Sequence, residues 1–383
     1  MTLPLSQEEI LRFSRHLMIP EVGLVGQRKL KNSSVLVVGA GGLGSPVALY
    51  LAAAGVGRIG LVDYDTVDSS NLQRQIIHGT HNLGQVKVES ARERLLDLNP
   101  YMQVDVYLDI ISAENARALV NPYDVVVDCS DNFPTRYLLN DVCVLTGKPD
   151  VYGSIFRFEG QASVFDARSG PCYRCLFPAP PPPGSVPSCA EGGVFGILPG
   201  TIGTIQATET LKLLLGIGSS LAGRLLLYDA LEMSFMTVKL KKNPHCNICS
   251  DQAVIHELID YEDFCGSPVN DHGVLTAPNQ DMTPQQLAAR LQAGESIQLL
   301  DVREAVEQQI SVLPGAQLIP LGDLASRLNE LNPTQPVVLF CRTGVRSQRG
   351  LGILAAAGFE HLYNLRGGIN AWAQEVDHSM LQY

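Results

Sequence analysis

Short apolar runs alternate with longer amphipathic stretches along the first part of the chain. The runs that we predict as buried strands are VLVVGA from Val35, RIGLVDYD from Arg58, VDVYL from Val104 and DVVVDCS from Asp124. The stretches between them that we predict as helices cover residues 43–54, 85–98 and 113–120. Because strands and helices alternate, the pattern predicts a parallel sheet with helices on both faces.

The pattern changes after the fourth strand. The segment YGSIFRFEGQASVFD from Tyr152 predicts an antiparallel hairpin, and residues 201–215 predict another helix. Two antiparallel strands that follow parallel ones add to the same sheet or start a new layer. We therefore expect a mixed, mainly parallel sheet in this α/β part of the chain.

The regular pattern weakens after Cys249, and a second, smaller α/β pattern begins at Met282. Its predicted strands are IQLLDVR, PVVLFC and HLYNLRG. The predicted organisation is a first domain over residues 1–251, a linker over 252–281 and a second domain over 282–383.

Composition narrows the class of protein. The chain of 383 residues is 45% hydrophobic and 17% charged, which is typical of a folded globular protein. Its net charge of -11 argues against direct binding of nucleic acid, because phosphate binding needs a basic face. Residues 35–57 carry no charge and are long enough to span a bilayer, but glycines and Pro46 interrupt them. The first residues do not resemble a signal peptide. We expect a cytoplasmic protein with no membrane partner.

A glycine motif follows the first predicted strand. Gly39-x-Gly41-x-x-Gly44 opens the next predicted helix, and Asp63 ends the second strand. Such glycines let backbone N–H groups approach phosphate at a helix N-terminus, and a carboxylate at the second strand can bind ribose hydroxyls. The motif predicts a Rossmann-like nucleotide site. By itself it fits NAD or FAD about as well as ATP.

Three polar residues near this motif favour ATP. Arg74 and Lys87 follow the second strand, and Asp131 follows the fourth. Two cations can hold a triphosphate and stabilise the charge that develops on it, and a carboxylate can bind Mg²⁺. Either cation alone would be read as surface charge. A hydride-transfer enzyme needs none of the three, so an NAD-dependent oxidoreductase is kept as the alternative.

Two C-x-x-C pairs predict a zinc site. The pairs are Cys172 with Cys175 and, far along the chain, Cys246 with Cys249. Zn²⁺ binds four thiolates tetrahedrally in a closed structural site. Two unrelated pairs, or a redox pair, are the alternatives.

Cys341 ends a predicted strand in the second domain. It opens the segment CRTGVRS, and a helix is predicted near Ser347. Loop amides and a helix N-terminus favour an anion, and Arg342 and Arg346 add positive charge. Gly344 permits a tight turn. The pattern predicts a reactive thiolate, with a buried strand cysteine as the alternative.

Cys189 belongs to neither predicted thiol site. It stands in PCYRCLFPAPPPPGSVPSCAEGG, beyond a proline run that can form neither helix nor sheet. Such a segment predicts an exposed loop, which lets a thiol reach a substrate held elsewhere. A loop cysteine without function is the alternative.

The first domain resembles the adenylyltransferases of the MoeB/ThiF family, which are similar to ubiquitin-activating enzymes. The resemblance covers roughly residues 5–250 and rests on VLVVGAGGLGSPVALYLAAAGVG, DYDTVDSSNLQRQ, GQVKVESAR and DCSDNFPTRYLLN. It implies ATP with Mg²⁺ as cofactor and zinc at the four cysteines. The residues that it places at the nucleotide are Gly42, Asp63, Asn71, Arg74, Lys87 and Asp131, and the same segments add Asp65, Ser70 and Asn132. It also implies a homodimer in which Arg15 reaches the partner's ATP.

The second domain resembles rhodaneses over roughly residues 282–383. The motifs are LLDVRE, LPGAQLIPL, CRTGVRS and LRGGINAW. The resemblance implies that Cys341 carries a persulfide, supplied by a donor such as a cysteine desulfurase. Asp301 and Arg303 are expected to support the loop rather than to react.

Taken together, the two resemblances predict the protein's function. They imply adenylation of the C-terminal glycine of a ubiquitin-like sulfur carrier, followed by sulfur transfer that forms its thiocarboxylate. Carriers of this kind serve molybdopterin synthesis, thiamine synthesis or tRNA thiolation, and the sequence does not choose among them. The resemblance also gives Cys189 a role after adenylation, since related two-domain enzymes carry a cysteine there that bonds the carrier.

Overall fold

The protein is described by a computed structural model that covers residues 4–182, 192–266 and 281–383. The chain divides into two compact units, Met1–Asn270 and Asp271–Tyr383. The larger unit contains the predicted glycine motif and the four paired cysteines. The smaller unit contains Cys341.

The larger unit is built on one mixed sheet of eight strands. They are β1 (Ser34–Val38), β2 (Arg58–Val62), β3 (Gln103–Tyr107), β4 (Val125–Asp128), β5 (Asp150–Phe156), β6 (Glu159–Phe165), β7 (Arg224–Asp229) and β8 (Ser234–Lys239). Their order is β3-β2-β1-β4-β5-β6-β7-β8. The strands from β3 to β5 in that order pair in parallel, and those from β5 to β8 pair antiparallel. The predicted mixed sheet is confirmed.

Helices cover both faces of this sheet. Those of the larger unit are α1 (Gln7–Arg12), α2 (Ser14–Leu17), α3 (Gly23–Lys31), α4 (Gly44–Ala54), α5 (Lys87–Leu98), α6 (Ala116–Val120), α7 (Phe133–Thr146), α8 (Tyr173–Leu176), α9 (Leu198–Leu215) and α10 (Tyr261–Phe264). Alternate residues of β1 face the two layers: Val35 and Val37 pack in one apolar cluster, and Leu36 and Val38 in the other. A strand buried on both faces must be apolar throughout, which explains its unbroken run.

Helix α6 is shorter than predicted. It begins at Ala116, whereas the sequence pattern predicted a helix over residues 113–120. The backbone N–H of Ser112 donates to Oδ1 of Asn115 at 2.8 Å. This side-chain bond forms a turn before the helix, because an asparagine side chain competes with the helical backbone for its hydrogen bonds.

The order of the strands creates a crevice at the carboxyl end of β1. The chain passes from β1 to β2 and β3 on one side, and then returns to β4 on the other side of β1. In open α/β sheets, ligands bind at such a point, where the direction of the strand order reverses. The segments that follow β1, β2 and β4 meet there.

The first half of the predicted linker packs against the larger unit. Tyr261 and Cys265 are buried in the same apolar cluster as Tyr137. The hydroxyl of Tyr261 donates to Oδ2 of Asp141 at 2.9 Å. Residues 252–266 therefore contribute to the core of the larger unit, and residues 267–280 lie outside the described part of the chain.

The smaller unit contains a parallel sheet of five strands. They are β9 (Asp281–Met282), β10 (Gln298–Asp301), β11 (Gln317–Leu318), β12 (Val337–Phe340) and β13 (Leu362–Leu365), in the order β11-β10-β12-β13-β9. The helices are α11 (Pro284–Gln292), α12 (Val345–Ala356) and α13 (Gly368–Glu375). Strand β12 is central, and Cys341 follows its last residue. Across the described ranges of both units, no helix has the length and apolar character needed to cross a membrane.

Candidate active sites

The glycine loop after β1 fits its surroundings only without side chains. Gly39 has φ +97°, and a Cβ atom on it would lie 2.7 Å from the backbone oxygen of Cys129. A Cβ atom on Gly44 would lie 1.9 Å from the backbone oxygen of Gly39. The loop therefore packs closely against the end of β4 and against the first turn of α4. Both positions require glycine, as the motif predicted.

Asp63 holds this loop. One carboxylate oxygen, Oδ2, accepts from the backbone N–H of Ala40 at 2.8 Å. The other, Oδ1, accepts from the backbone N–H of Asp65 at 2.9 Å. The carboxylate thus connects the loop after β1 to the loop after β2. Each oxygen has a second lone pair, which can still accept from a ligand hydroxyl.

The crevice at the ends of β1, β2 and β4 is an open cleft, which we call the switch-point cleft. The predicted nucleotide residues that line it are Gly39, Gly41, Gly42, Asp63, Asp65, Arg74, Lys87, Asp131 and Asn132. Folding therefore brings together residues that are separated by up to a quarter of the chain. The cleft contains glycine amides, three cations and several carboxylates, which is a chemically suitable set for a metal-bound polyphosphate.

The two predicted cations of the cleft, Arg74 and Lys87, are held differently. Lys87 is buried at the start of α5, and its Nζ donates to Oδ2 of Asp65 at 2.9 Å. Arg74 is partly exposed, and its Nη1 donates to the backbone oxygen of Ser70 at 3.0 Å. Lys87 is therefore fixed by an ion pair, whereas Arg74 keeps most of its guanidinium donors available to a ligand.

Four predicted residues do not line the cleft. They are Arg15, Gly44, Ser70 and Asn71. Ser70 Oγ donates to Oδ1 of Asp68 at 2.6 Å, and Asn71 Oδ1 accepts from the backbone N–H of Asp68 at 3.2 Å. Both side chains are therefore bonded to Asp68, the N-cap of the short helical turn Ser69–Asn71, and neither residue lines the cleft. Arg15 is exposed on α2.

Arg136 lines the cleft but was missed from the sequence. Its Nη2 donates to the backbone oxygen of Ser130 at 3.3 Å, and its guanidinium lies 5.5 Å from the ring centre of Tyr152. Asn132 caps α7 through Thr135, so Arg136 lies in the first turns of a helix that starts at the cleft. The asparagine cap directly after a predicted strand was the sequence signal that could have found it.

His78 is buried beside the cleft and connects two of the segments that form it. Its Nε2 lies 3.1 Å from the backbone oxygen of Ala40, and its Nδ1 lies 2.8 Å from Ser90 Oγ. A carbonyl only accepts, so Nε2 carries the proton and Nδ1 accepts from the serine hydroxyl. Burial lowers the pKa of His78, which keeps the ring neutral. The ring thereby links the glycine loop to the helix that carries Lys87.

The four paired cysteines of the larger unit form one cluster. Their sulfur atoms lie within 4.8 Å of one another, and three pairs are 3.8, 3.6 and 3.3 Å apart. Tetrahedral zinc with bonds of about 2.3 Å requires sulfur separations of about 3.8 Å. Hydrogen bonds among the four sulfurs lower the pKa values of Cys175 and Cys246 and raise those of Cys172 and Cys249. The donor set fits zinc, and Cys189 lies outside the described residues.

Cys341 lies in a loop of residues 341–344, which we call the Cys341 loop. The thiol is 1% exposed, and its Sγ accepts from the backbone N–H of Gly344 at 3.1 Å. Gly344 has φ +99° and precedes α12, so the loop turns back towards the sulfur. Ser347 Oγ lies 3.5 Å from the same sulfur. An amide and a helix N-terminus at a sulfur stabilise its negative charge.

Asp301 and Arg303 form a buried ion pair in the unit that contains Cys341. Both side chains are fully buried and form a bidentate pair with distances of 2.9 and 2.7 Å. The guanidinium also donates to the backbone oxygen of Ser311 at 2.9 Å. These contacts agree with a supporting role, because both side chains are already paired with groups of the protein.

The fold and the two sites define a class: a nucleotide-binding α/β unit joined to a smaller α/β unit with a cysteine held by loop amides. The model described as "ThiF family" matches residues 13–248, and the model described as "Rhodanese-like domain" matches residues 283–375. The chain belongs to the ThiF family and carries a rhodanese-like domain after the ThiF part. The resemblance inferred from the sequence is confirmed.

Relatives match almost the whole chain. "Probable adenylyltransferase/sulfurtransferase MoeZ" of Mycobacterium tuberculosis is 50% identical over 99% of this chain and 96% of its own length. "Adenylyltransferase and sulfurtransferase MOCS3" of Drosophila grimshawi is 44% identical over 99% of this chain and 87% of its own length. Both relatives therefore have the same two-part organisation over most of their length.

Solved structures match the larger unit in fold. The microcin C7 biosynthetic enzyme MccB in complex with N-formylated MccA has a TM-score of 0.58 at 22% identity, over 65% of this chain and 77% of that one. E. coli MccB with ATP has a TM-score of 0.56 at 21% identity, over 62% of this chain and 73% of that one. At this identity the likeness shows the fold alone.

Proposed function

We propose that this protein activates a ubiquitin-like sulfur carrier with ATP and then transfers sulfur to it. The observation that carries the proposal is the pairing of two sites in one chain. One is a cleft with glycine amides, cations and carboxylates, and the other is a cysteine whose sulfur accepts a loop amide. The relatives named as adenylyltransferase and sulfurtransferase support the same pairing of activities.

In the first step, the C-terminal glycine carboxylate of the carrier attacks the α-phosphorus of ATP. A bond from carboxylate oxygen to phosphorus forms, and pyrophosphate leaves with the electrons of the broken bond. Arg74 and Lys87 stabilise the charge on the phosphates, and Asp131 is the carboxylate that we assign to Mg²⁺. The glycine loop binds phosphate through its amides. The resulting acyl adenylate has AMP as a good leaving group.

In the second step, Cys341 carries a persulfide. Its terminal sulfur attacks the acyl carbon, a carbon–sulfur bond forms, and AMP leaves with the electrons of the acyl–oxygen bond. The carrier is then linked to Cys341 through an acyl disulfide. A thiol that attacks the Cys341 sulfur releases the carrier as a thiocarboxylate and forms a disulfide with Cys341. A persulfide donor, such as a cysteine desulfurase, reloads the enzyme after an external thiol has reduced that disulfide.

Cys189 is our candidate for the thiol that follows adenylation. It either takes the acyl group as a thioester or attacks Cys341 and resolves the acyl disulfide. The two roles are distinguishable, because an added thiol replaces a resolving cysteine but not a thioester. Thiocarboxylate production by Cys189→Ala, measured with and without added thiol, separates them. Unchanged production without thiol would leave Cys189 with neither role.

Arg15 is our candidate for a residue that acts across a homodimer. Mixing the chains Arg15→Ala and Lys87→Ala should restore part of the adenylation activity, because one composite site then has both residues intact. Mixed dimers that form and show no recovery would contradict the role in trans.

Zinc at the four-cysteine cluster is the structural metal that we propose for the larger unit.

The oxidoreductase alternative rests only on the glycine motif and Asp63. It leaves Arg74, Lys87 and Asp131 without a role, and the relatives' names give it no support. A binding measurement with ATP and with NADH separates the two. We expect binding of ATP, and tight binding of NADH with none of ATP would overturn the proposal.

The test of the proposed function is pyrophosphate exchange into ATP, measured with a panel of ubiquitin-like carriers. Exchange should require a carrier with an intact C-terminal glycine. Arg74→Ala and Lys87→Ala should each lower exchange about 100-fold, since a preorganised cation or donor contributes roughly 3 kcal/mol. Lys241→Ala, which removes an exposed lysine, is the matched control. Wild-type exchange in the two variants would contradict their assignment.

A further inference from the structure

Tyr383 contacts three groups of residues around the Cys341 loop: Asn370, the pair Arg303 and Glu307, and Arg342. Tyr383 lies outside the sequence motifs and outside the residues that the family model matches. The model of the rhodanese-like domain ends at residue 375. Tyr383 is partly buried, and its main chain is held by Asn370 in α13. The Asn370 side chain donates to the Tyr383 carbonyl at 2.8 Å. The backbone N–H of the same asparagine donates to the carbonyl of Arg342 at 3.2 Å, so one residue connects Tyr383 to the Cys341 loop.

The phenol of Tyr383 bridges two charged side chains. Its oxygen accepts from Nη1 of Arg303 at 2.7 Å and donates to Oε1 of Glu307 at 2.8 Å. The direction is fixed, because a guanidinium only donates and a carboxylate only accepts. Burial raises the pKa of Tyr383 to about 12, so the proton that this bond needs stays in place. A phenylalanine at this position would leave both charged groups short of one partner.

Glu307 in turn binds Arg346, which follows the Cys341 loop. Its two carboxylate oxygens accept from Nη1 and Nη2 of Arg346, both at 2.6 Å. Arg346 is 8% exposed and lies in the first turn of α12, directly after the Cys341 loop. A bidentate pair fixes the plane of the guanidinium as well as its position. The phenol therefore acts on Arg346 through Glu307.

The ring of Tyr383 supports the second arginine. The guanidinium of Arg342 lies 5.5 Å from the ring centre, within the range of a cation–π contact. The buried Nε atom of Arg342 has no hydrogen-bond partner among the described residues. A ring can hold a guanidinium in place without using its N–H groups. Arg342 thus keeps donors for an anion while its position is fixed.

We propose that Tyr383 is a positioning residue for sulfur transfer at Cys341, which holds Arg342 and Arg346 where an anionic sulfur donor binds. This inference rests on the proposed persulfide at Cys341. With thiosulfate as the probe, the Cys341 thiolate attacks the outer sulfur, the sulfur–sulfur bond of thiosulfate breaks, and sulfite leaves with the electron pair. Cyanide then takes the transferred sulfur as thiocyanate and returns the thiolate. The attacking thiolate, the thiosulfate and the departing sulfite all carry negative charge in this sequence.

Two substitutions separate the functions of the phenol and the ring. Tyr383→Phe removes the bridge between Arg303 and Glu307 but keeps the ring under Arg342. Tyr383→Leu removes both. Tyr363→Phe is the matched control, because Tyr363 in β13 also has an arginine over its ring, Arg290 at 4.9 Å, and takes no part in the Tyr383 contacts.

The experiment measures kcat and KM for thiosulfate with the full-length chain, with cyanide as acceptor. Rates are expressed per reactive Cys341, counted by alkylation and peptide mass. We expect Tyr383→Phe to lower kcat roughly tenfold, in line with a lost hydrogen bond to a charged group, with KM within twofold of wild type. Tyr383→Leu should show the same loss in kcat and also a severalfold rise in KM. Tyr363→Phe should match wild type.

A purely structural role would give a different result. It would lower the thermal midpoint and the fraction of reactive Cys341 equally in the phenylalanine and leucine variants, and it would leave the kinetic constants per reactive thiol unchanged. That outcome, or wild-type kinetics in Tyr383→Leu, overturns the inference. A wild-type chain that gains no sulfur atom on Cys341 from thiosulfate or a persulfide donor instead overturns the proposed function.

Discussion

Both units place a turn between the end of a central parallel strand and the start of a helix, but they use it differently. The residue directly after β1 is Gly39, and the residue directly after β12 is Cys341. In the larger unit, the loop amide of Ala40 donates to Asp63, and the loop borders an open cleft. In the smaller unit, the amide of Gly344 donates to the buried sulfur of Cys341.

The difference shows how a turn between a parallel strand and a helix can serve two kinds of chemistry. Amides at a helix N-terminus favour negative charge wherever it comes from. With glycine after the strand, there is room for an anion that arrives from solution. With cysteine after the strand, the protein itself supplies the anion. We therefore propose that the residue after the strand reflects the chemistry of each site: glycine leaves room for a phosphate, and cysteine supplies a thiol.

The largest expected effect separates the two chemistries completely. Cys341→Ala should abolish sulfur acceptance from thiosulfate or a persulfide donor, because Cys341 is the only cysteine of residues 282–383. Pyrophosphate exchange should remain at the wild-type level. Mass spectrometry of the loaded chain and an exchange assay measure the two. Loss of both activities in a folded variant would mean that the sites depend on each other.

Glycine substitutions in the two turns should each impair one activity: Gly44→Ala pyrophosphate exchange, and Gly344→Ala sulfur transfer. Gly44→Ala places a Cβ atom 1.9 Å from the Gly39 oxygen, so the cleft loop must move and exchange should be lost. Gly344→Ala forces alanine to φ +99°, which costs about 1–3 kcal/mol and should lower sulfur transfer roughly tenfold. Each variant should keep the other activity. Equal damage to both activities would contradict independent turns. Gly352→Ala, in α12 with open space around it, is the control.

Removal of zinc should lower the thermal stability of the larger unit and leave that of the smaller unit unchanged. Cys246→Ser breaks the four-thiolate set, and the loss of a structural metal costs at least about 4 kcal/mol. At 2–4 °C per kcal/mol, the unfolding midpoint of the larger unit should fall by about 10 °C, while that of the smaller unit stays unchanged. Cys265→Ser, outside the cluster, is the control. Metal analysis that finds no zinc in an active wild-type chain would refute the assignment.

The smallest expected effect is a difference in acid sensitivity. Burial lowers the pKa of His78 below its ordinary 6.5, so the unfolded state binds the extra proton first and the larger unit loses stability as pH falls below about 6.5. Burial raises the pKa of Glu307, but the hydrogen bonds that its carboxylate accepts, above all from Arg346, outweigh burial and lower the pKa below the ordinary 4.5. Its contribution is present above pH 4.5 and is lost only as pH falls through the lower value.

His78 should therefore weaken the larger unit before Glu307 weakens the smaller one, whereas Asp128 and Asp150, whose pKa values are raised by burial, act in the opposite direction on the larger unit. Thermal midpoints of both units between pH 7 and pH 4 measure the order. His78→Gln should flatten the loss of the larger unit between pH 6.5 and pH 5 and leave the smaller unit unaffected. An unchanged slope in that variant would show that other groups control the acid response.

Features that depend on short spacings were predictable from the sequence. The glycine spacing of residues 39–44 encodes a turn whose geometry is local, and the structure shows why Gly39 and Gly44 cannot carry side chains. The two C-x-x-C pairs encode two halves of a tetrahedral donor set, which the fold then joins. In both cases the spacing within each motif acts over a few residues and is contained in the sequence, whereas the approach of the two cysteine pairs, 74 residues apart, depends on the fold.

Features that depend on contacts between distant segments were decided only by the tertiary structure. Ser70 and Asn71 belong to a motif of the cleft, but their side chains bond to Asp68 at the start of a short helical turn. Arg136 enters the cleft because α7 starts at the end of β4. Tyr383 reaches Glu307, 76 residues away, only because α13 brings it back to the Cys341 loop. No spacing along the chain encodes these contacts, since they arise from the packing of elements whose separation in sequence is unrelated to their distance in the fold.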